Sequence, residues 1–232
     1  MAGYEILELA GAGGSGLVYR ARRAGSPELV ALKLARESTG SAPLAREAMH
    51  AALALSPRLP ELVDVGWALI TGASARVVDP AHAADAVPFV ALRWAPGAPL
   101  VGGAGKSHVE VALGAARDVG DALADLHEMG VAHGDVKPAN LLASSGGVRV
   151  IDLGLAGPLH ATTVEGATLR YLDRGSSALG DARARDLVAL GAVLAELVDP
   201  AIAAADDPIA AARARRLPGP IGAICAALLA PS

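Results

Sequence analysis

The chain has 232 residues, of which 53% are hydrophobic, enough for one good-sized core or two small ones, and this excludes a disordered polypeptide. Lysine and arginine number 20 against 24 aspartates and glutamates, a net charge of −4, and no basic run offers a nucleic-acid footprint. The single cysteine, Cys225, excludes an internal disulfide and a cysteine metal cluster, so the expected setting is the reducing cytoplasm. The N-terminal stretch carries Glu5 and Glu8 and no basic segment, and no run of about 18 apolar residues occurs, so neither secretion nor membrane spanning is expected.

In chain order, short apolar runs at Tyr4–Leu9, Leu17–Arg22 and Leu29–Leu34 alternate with glycine and polar breaks and predict a strand meander. An alanine-rich segment, Leu44–Leu55, has helical composition, and Leu62–Leu69 and Phe89–Trp94 predict two further strands. The stretch Ala75–Pro88, with two prolines and scattered polar residues, reads as a connector. Pro96-Gly97 breaks the pattern and marks the expected hinge between a β-rich and a helical part.

Beyond it the period changes. Ala112, Ala115, Val119, Ala122, Leu123 and Leu126 form one apolar stripe at helical spacing, with Ser107 and Glu110 spaced as a capping box and Gly130 placed to end the helix. Further helices are expected at Ala182–Leu197 and Pro220–Leu229.

Several residues carry chemistry. Gly11, Gly13 and Gly16, followed by Val18, lie between two predicted strands, where glycines let backbone N–H groups approach a polyphosphate; such a run is equally the composition of a hairpin turn. Strand alternation puts Ala31 and Lys33 on one face, and Glu47 on the following helix is the candidate partner for Lys33. His133-Gly134-Asp135-Val136-Lys137-Pro138-Ala139-Asn140 precedes an apparent hairpin, Leu141–Ile151, that ends at Asp152-Leu153-Gly154. A turn at Ser144–Gly147 would return the chain to its start and bring Asn140 and Asp152 together, an oxygen-donor pair suited to Mg²⁺.

This order of motifs resembles the eukaryotic-type protein kinase family, as found in bacterial Ser/Thr kinases, from about Tyr4 to Leu229. The resemblance implies an α+β, two-lobed kinase fold, with a small β-rich lobe over residues 1–92 and a mainly helical lobe over 93–232 whose last helices are missing. It implies ATP and Mg²⁺ as cofactors and a protein with a Ser or Thr hydroxyl as acceptor. Gly11, Gly13 and Gly16 would cover the phosphates, and Lys33, held by Glu47, would contact them. Val18, Ala31 and Leu142 would sandwich adenine, backbone groups of Arg93–Ala95 would bond its edge, and Leu92 would guard the back of the pocket. Asp135 would orient and deprotonate the acceptor hydroxyl, Lys137 would neutralise the γ-phosphate, and Asn140 and Asp152 would hold magnesium. Arg185-Asp186 resembles the helix start whose buried aspartate braces the catalytic loop, and Thr168 is expected to contact Asp135; Thr162 and Thr163 are candidate phosphorylation sites.

The chain departs from the family pattern at Gly134, where arginine is usual, and at Leu153, where phenylalanine is usual. Its segment Arg170-Tyr171-Leu172-Asp173-Arg174-Gly175 also stands where the activation segment normally closes with Pro-Glu, so the ion pair of that glutamate with a late arginine is expected to be missing and the substrate-docking region loose. These departures keep a regulatory ATP-binding pseudokinase in view. The His-Gly-Asp pattern also resembles small-molecule kinases acting on aminoglycosides or choline.

Overall fold

A computed structural model of the chain describes residues 3–13, 16–35, 41–102, 106–160, 168–173 and 181–230. By its internal contacts the chain divides into two compact units, Met1–Ala54 with Pro60–Ala95, and Leu55–Leu59 with Pro96–Ser232.

The first unit contains β1 (Gly3–Gly13), β2 (Gly16–Arg23), β3 (Leu29–Leu34), α1 (Ala42–Leu53), β4 (Leu62–Thr71), β5 (Ser74–Val78) and β6 (Val87–Arg93). The strands close into an antiparallel barrel in the order β1-β2-β3-β6-β4-β5, which leaves no strand edge open. Alternation in β3 sends Val30, Leu32 and Leu34 into the barrel with Tyr4, Ala21 and Phe89, while Ala31 and Lys33 take the other face. Inside, the Tyr4 and Phe89 rings meet edge-on with centroids 5.7 Å apart, and the Tyr4 hydroxyl donates to Asp64 at 3.0 Å. The outer face of β6 is covered by α1, whose Leu44 and Ala51 pack on Val90 and Leu92.

The stretch expected to be a connector holds β5, which pairs with both β4 and β1. Gly72, at φ 56°, makes the tight reversal into it. The strand escaped notice because its fully buried residue is only Ala75, flanked by exposed Ser74 and Arg76, and one methyl makes a faint period-2 signal.

In the second unit are β7 (Ala98–Pro99), α2 (Lys106–Glu128), β8 (Val131–Ala132), β9 (Leu141–Ser144), β10 (Gly147–Val150), β11 (Gly157–Pro158), α3 (Ala182–Val198), α4 (Pro200–Ala203), α5 (Pro208–Ala214) and α6 (Gly219–Leu228). The apolar stripe of α2 is fully buried from Ala112 to Leu126, and Gly130, at φ 77°, ends the turn that follows the helix. Because α2 begins at Lys106, Ser107 lies inside the helix rather than at its cap. α3 is buried on all sides from Val188 to Leu197, packed by α2, α5 and α6. The short α4 and α5 were not expected, although each opens with the same readable signal: Asp199-Pro200 and Asp207-Pro208 put a capping carboxylate before a proline in the first turn.

One buried group in the first unit has a pH consequence. His50 of α1 is 4% exposed and its Nδ1 finds no hydrogen-bond partner among the described residues, and burial, with Arg46 nearby, pulls its pKa below the usual value. The folded state therefore resists protonating His50, so its stability falls as pH drops below the unfolded value of about 6.5. His50→Leu is expected to flatten the denaturant-unfolding midpoint of the chain between pH 7 and 5, where the unsubstituted chain loses stability.

Candidate active-site residues

In the first unit, the glycine run forms the tip of the β1–β2 hairpin, with Gly11 opposite Val18 and Gly13 opposite Gly16. Gly16 is obligatory there: its φ is 144°, and a Cβ would lie 2.1 Å from the Leu34 carbonyl oxygen. Register places Val18 beside Lys33 and Ala31 beside Leu92. Lys33 Nζ sits 2.5 Å from Glu47 Oε1, and both side chains are nearly buried, at 12% and 2%. Leu92, 4% exposed, packs under α1. The Arg93 amide donates to the Glu61 carbonyl and the Trp94 amide to the Leu29 carbonyl. The Arg93 side chain points outward into a bidentate pair with Glu61.

In the second unit Lys137, Asn140 and Thr168 converge on one carboxylate. Asp135, 8% exposed, receives the Thr168 amide on Oδ1 at 3.0 Å, while Oδ2 lies 2.6 Å from Lys137 Nζ. Lys137 also donates to Thr168 Oγ1 at 2.9 Å. Asn140 Nδ2 donates to both the Asp135 carbonyl and its Oδ2, at 2.9 and 3.2 Å, which reserves Asn140 Oδ1 as an oxygen donor. The hairpin returns as expected: the Ile151 amide donates to the Asn140 carbonyl at 2.9 Å, putting Asp152 one residue from that bond. Asp152 is the one positive-φ residue besides glycine among those described, at φ 67°, and its Oδ1 accepts the Gly154 amide. Leu142 lies in β9, half-buried and paired with Pro99.

A second carboxylate braces this loop. Asp186, at the start of α3 and 2% exposed, accepts the His133 amide at 2.8 Å, the Gly134 amide at 2.9 Å and His127 Nε2 at 2.9 Å. His133 is itself fixed at both nitrogens, Nε2 donating to the Ile151 carbonyl and Nδ1 accepting the Asp135 amide. Sequence reasoning missed His127; its signal was a histidine directly after Leu126 of the buried α2 stripe. At Gly134 the φ of 81° and the Leu155 carbonyl, 2.7 Å from where a Cβ would stand, suit glycine.

Within the segment that lacks the family's glutamate, a different carboxylate meets a late arginine. Asp173, two residues before Gly175, takes Arg213 of α5 in a bidentate pair at 2.8 and 2.6 Å, and Arg213 Nε also donates to the Leu229 carbonyl. The same turn is tied again by Arg170 and Tyr171, which both donate to the buried Glu196 of α3. Burial and the Glu196 carboxylate push the Tyr171 hydroxyl well above its ordinary range, so it remains a donor. Gly175, Thr162 and Thr163 lie outside the described residues.

Residues 105–206 match the family model of the protein kinase domain. It is similar to the serine/threonine-protein kinase AfsK of Streptomyces coelicolor, 32% identical over 201 residues that make up 82% of this chain and 24% of that protein. It also resembles PknB of Mycobacterium leprae, at 31% over 215 residues (84% of this chain, 32% of that protein), and PrkC of Bacillus subtilis, at 27% over 210 residues (84% and 30%). The chain thus spans a quarter to a third of the length of these relatives. No described helix is long and apolar enough to cross a membrane.

A double-mutant cycle with Asp173→Asn and Arg213→Met, read by chemical denaturation, is expected to give a coupling energy of about 1 kcal/mol, as befits a bidentate but partly exposed pair.

Proposed function

We propose that the chain is the catalytic domain of an ATP-dependent protein serine/threonine kinase, with the barrel unit as the small lobe, ending near residue 92, and the helical unit as the large lobe. The arrangement around Asp135 carries this reading. A carboxylate held by a backbone amide, an ammonium and a carboxamide is rotationally locked, which is what positioning an acceptor hydroxyl requires. Asp135 takes the proton from that hydroxyl. Lys137, already tied to Asp135 and Thr168, places a positive charge next to the oxygen being phosphorylated.

The donor set fits the cofactors the family uses. Among the described residues no cluster of three or more His, Cys, Asp or Glu could hold a metal, whereas Asn140 and Asp152 supply two hard oxygens. That is what Mg²⁺ takes from a protein when phosphate oxygens and water complete its shell. Bound MgATP supplies the transferable phosphoryl group with its charge partly neutralised. Gly11, Gly13 and Gly16 would present backbone N–H groups to its phosphates and Lys33 a cation, with Val18, Ala31 and Leu142 offering apolar contact to adenine. A protein rather than a small-molecule acceptor is favoured by Thr168, which joins the activation segment to both Asp135 and Lys137.

The test is transfer from labelled MgATP to the chain itself and to a generic basic protein. Label is expected on serine or threonine, and Asp135→Asn and Asp152→Asn are each expected to cut the rate by about 10²-fold or more. MgATP binding without transfer would make the chain a pseudokinase, and transfer to a free amino sugar or amino alcohol alone would make it a small-molecule kinase.

A further inference from the structure

The hairpin β9–β10 carries Asn140 at one end and Asp152 just beyond the other, so its placement sets theirs. Two four-residue strands are too little to hold themselves. β10 pairs with β9 along one edge, and among the described residues its other edge has no partner strand. There, alternate backbone groups are taken by two side chains and one carbonyl from elsewhere in the unit. Arg58 Nη1 donates to the Gly146 carbonyl at 2.7 Å, Asp118 Oδ2 accepts the Val148 amide at 2.8 Å, and the Arg58 carbonyl accepts the Val150 amide at 2.9 Å. Arg58 and Asp118 are also bonded to each other, Nη2 to Oδ1, at 3.0 Å.

Together they replace a missing strand. Asp118 is 1% exposed, and Arg117 adds a second guanidinium to its Oδ1 at 3.0 Å. Burial alone would raise the Asp118 carboxyl, yet the Val148 amide and the two guanidinia hold it below its usual value, so it remains the anion this edge needs. Gly147 is shaped to the pair: its φ is 101°, and a Cβ there would meet Asp118 Oδ2 at 2.3 Å and Arg58 Nη1 at 2.5 Å. The Val150 bond lies one residue before the Ile151–Asn140 bond and two before Asp152, so a shift of this edge passes directly to both oxygen donors.

We infer that Arg58 and Asp118 are positioning residues for the magnesium-binding pair Asn140 and Asp152. The inference rests on the kinase reading above. Its test compares the full-length chain with Arg58→Met, Arg58→Lys and Asp118→Asn by the Mg²⁺ concentration that half-activates transfer, by kcat, by KM for the acceptor protein and by Tm. Arg58→Met leaves Asp118 with Arg117 as counter-ion, so a folded variant is expected. Its half-activating Mg²⁺ should rise about 10-fold with a fall in kcat and an unchanged acceptor KM, as for other residues that orient metal ligands. Arg58→Lys, which keeps the charge, should recover part of that loss, and Asp118→Asn should shift Mg²⁺ in the same direction. Variants whose Mg²⁺ requirement and kcat per folded molecule equal those of the unsubstituted chain would overturn the inference and leave the pair a folding role only. If the unsubstituted chain transfers nothing, the kinase reading fails separately, and the comparison is made on Mg²⁺-dependent ATP binding by calorimetry. The same 10-fold shift there supports the inference, and no shift, or no binding, overturns it.

Discussion

Asp186, itself 2% exposed, accepts hydrogen bonds from two consecutive backbone amides and one histidine. A carboxylate buried to that degree is tolerable only when its lone pairs are satisfied, and here the groups that satisfy it are those that must be held still. His133 and Gly134 precede Asp135, and His127 lies in the last turn of α2, so one side chain at the start of α3 ties α3, α2 and the loop together. α3 can serve as the anchor because it is buried on every side and has little freedom to move.

From that anchor the loop is built with a small number of unusual backbone conformations. Gly134 at φ 81° approaches the Leu155 carbonyl more closely than any other residue type would permit. Asp152 adopts φ 67° without the glycine that normally accompanies such a value, a strain of about 1 kcal/mol or more. Strain of this size persists only where surrounding bonds over-determine the chain. The Ile151–Asn140 bond, the His133–Ile151 bond and the braced edge of β10 do that here.

The turn at Thr168–Asp173 shows how a family feature can change residues and keep its physics. The need is for an anion on the turn and a cation on α5, and Asp173 with Arg213 meets it without a glutamate at 175. Arg170, Tyr171 and Glu196 add a second tie to α3 that no motif announces. What matters is reach and complementary charge, and several arrangements of the same side chains provide both.

Much of the fold was legible in the sequence because the signals were local. The meander, the α2 stripe, the Asp135–Asn140 loop and the β9–β10 hairpin each follow from periodicity or turn chemistry along neighbouring stretches of chain. So does the pairing of Lys33 with Glu47, since strand alternation left Lys33 on the face that α1 covers. β5 was lost because one alanine makes a poor hydrophobic signal, and α4 and α5 because their cores are a single turn or two. What only the tertiary structure decided were the long-range polar bonds: Asp186 with His127, Asp173 with Arg213, and Arg58 with Asp118. Each joins residues 40 or more positions apart. A charged residue in sequence reads as solvent-facing until packing takes its water away, and only then does its partner become a necessity.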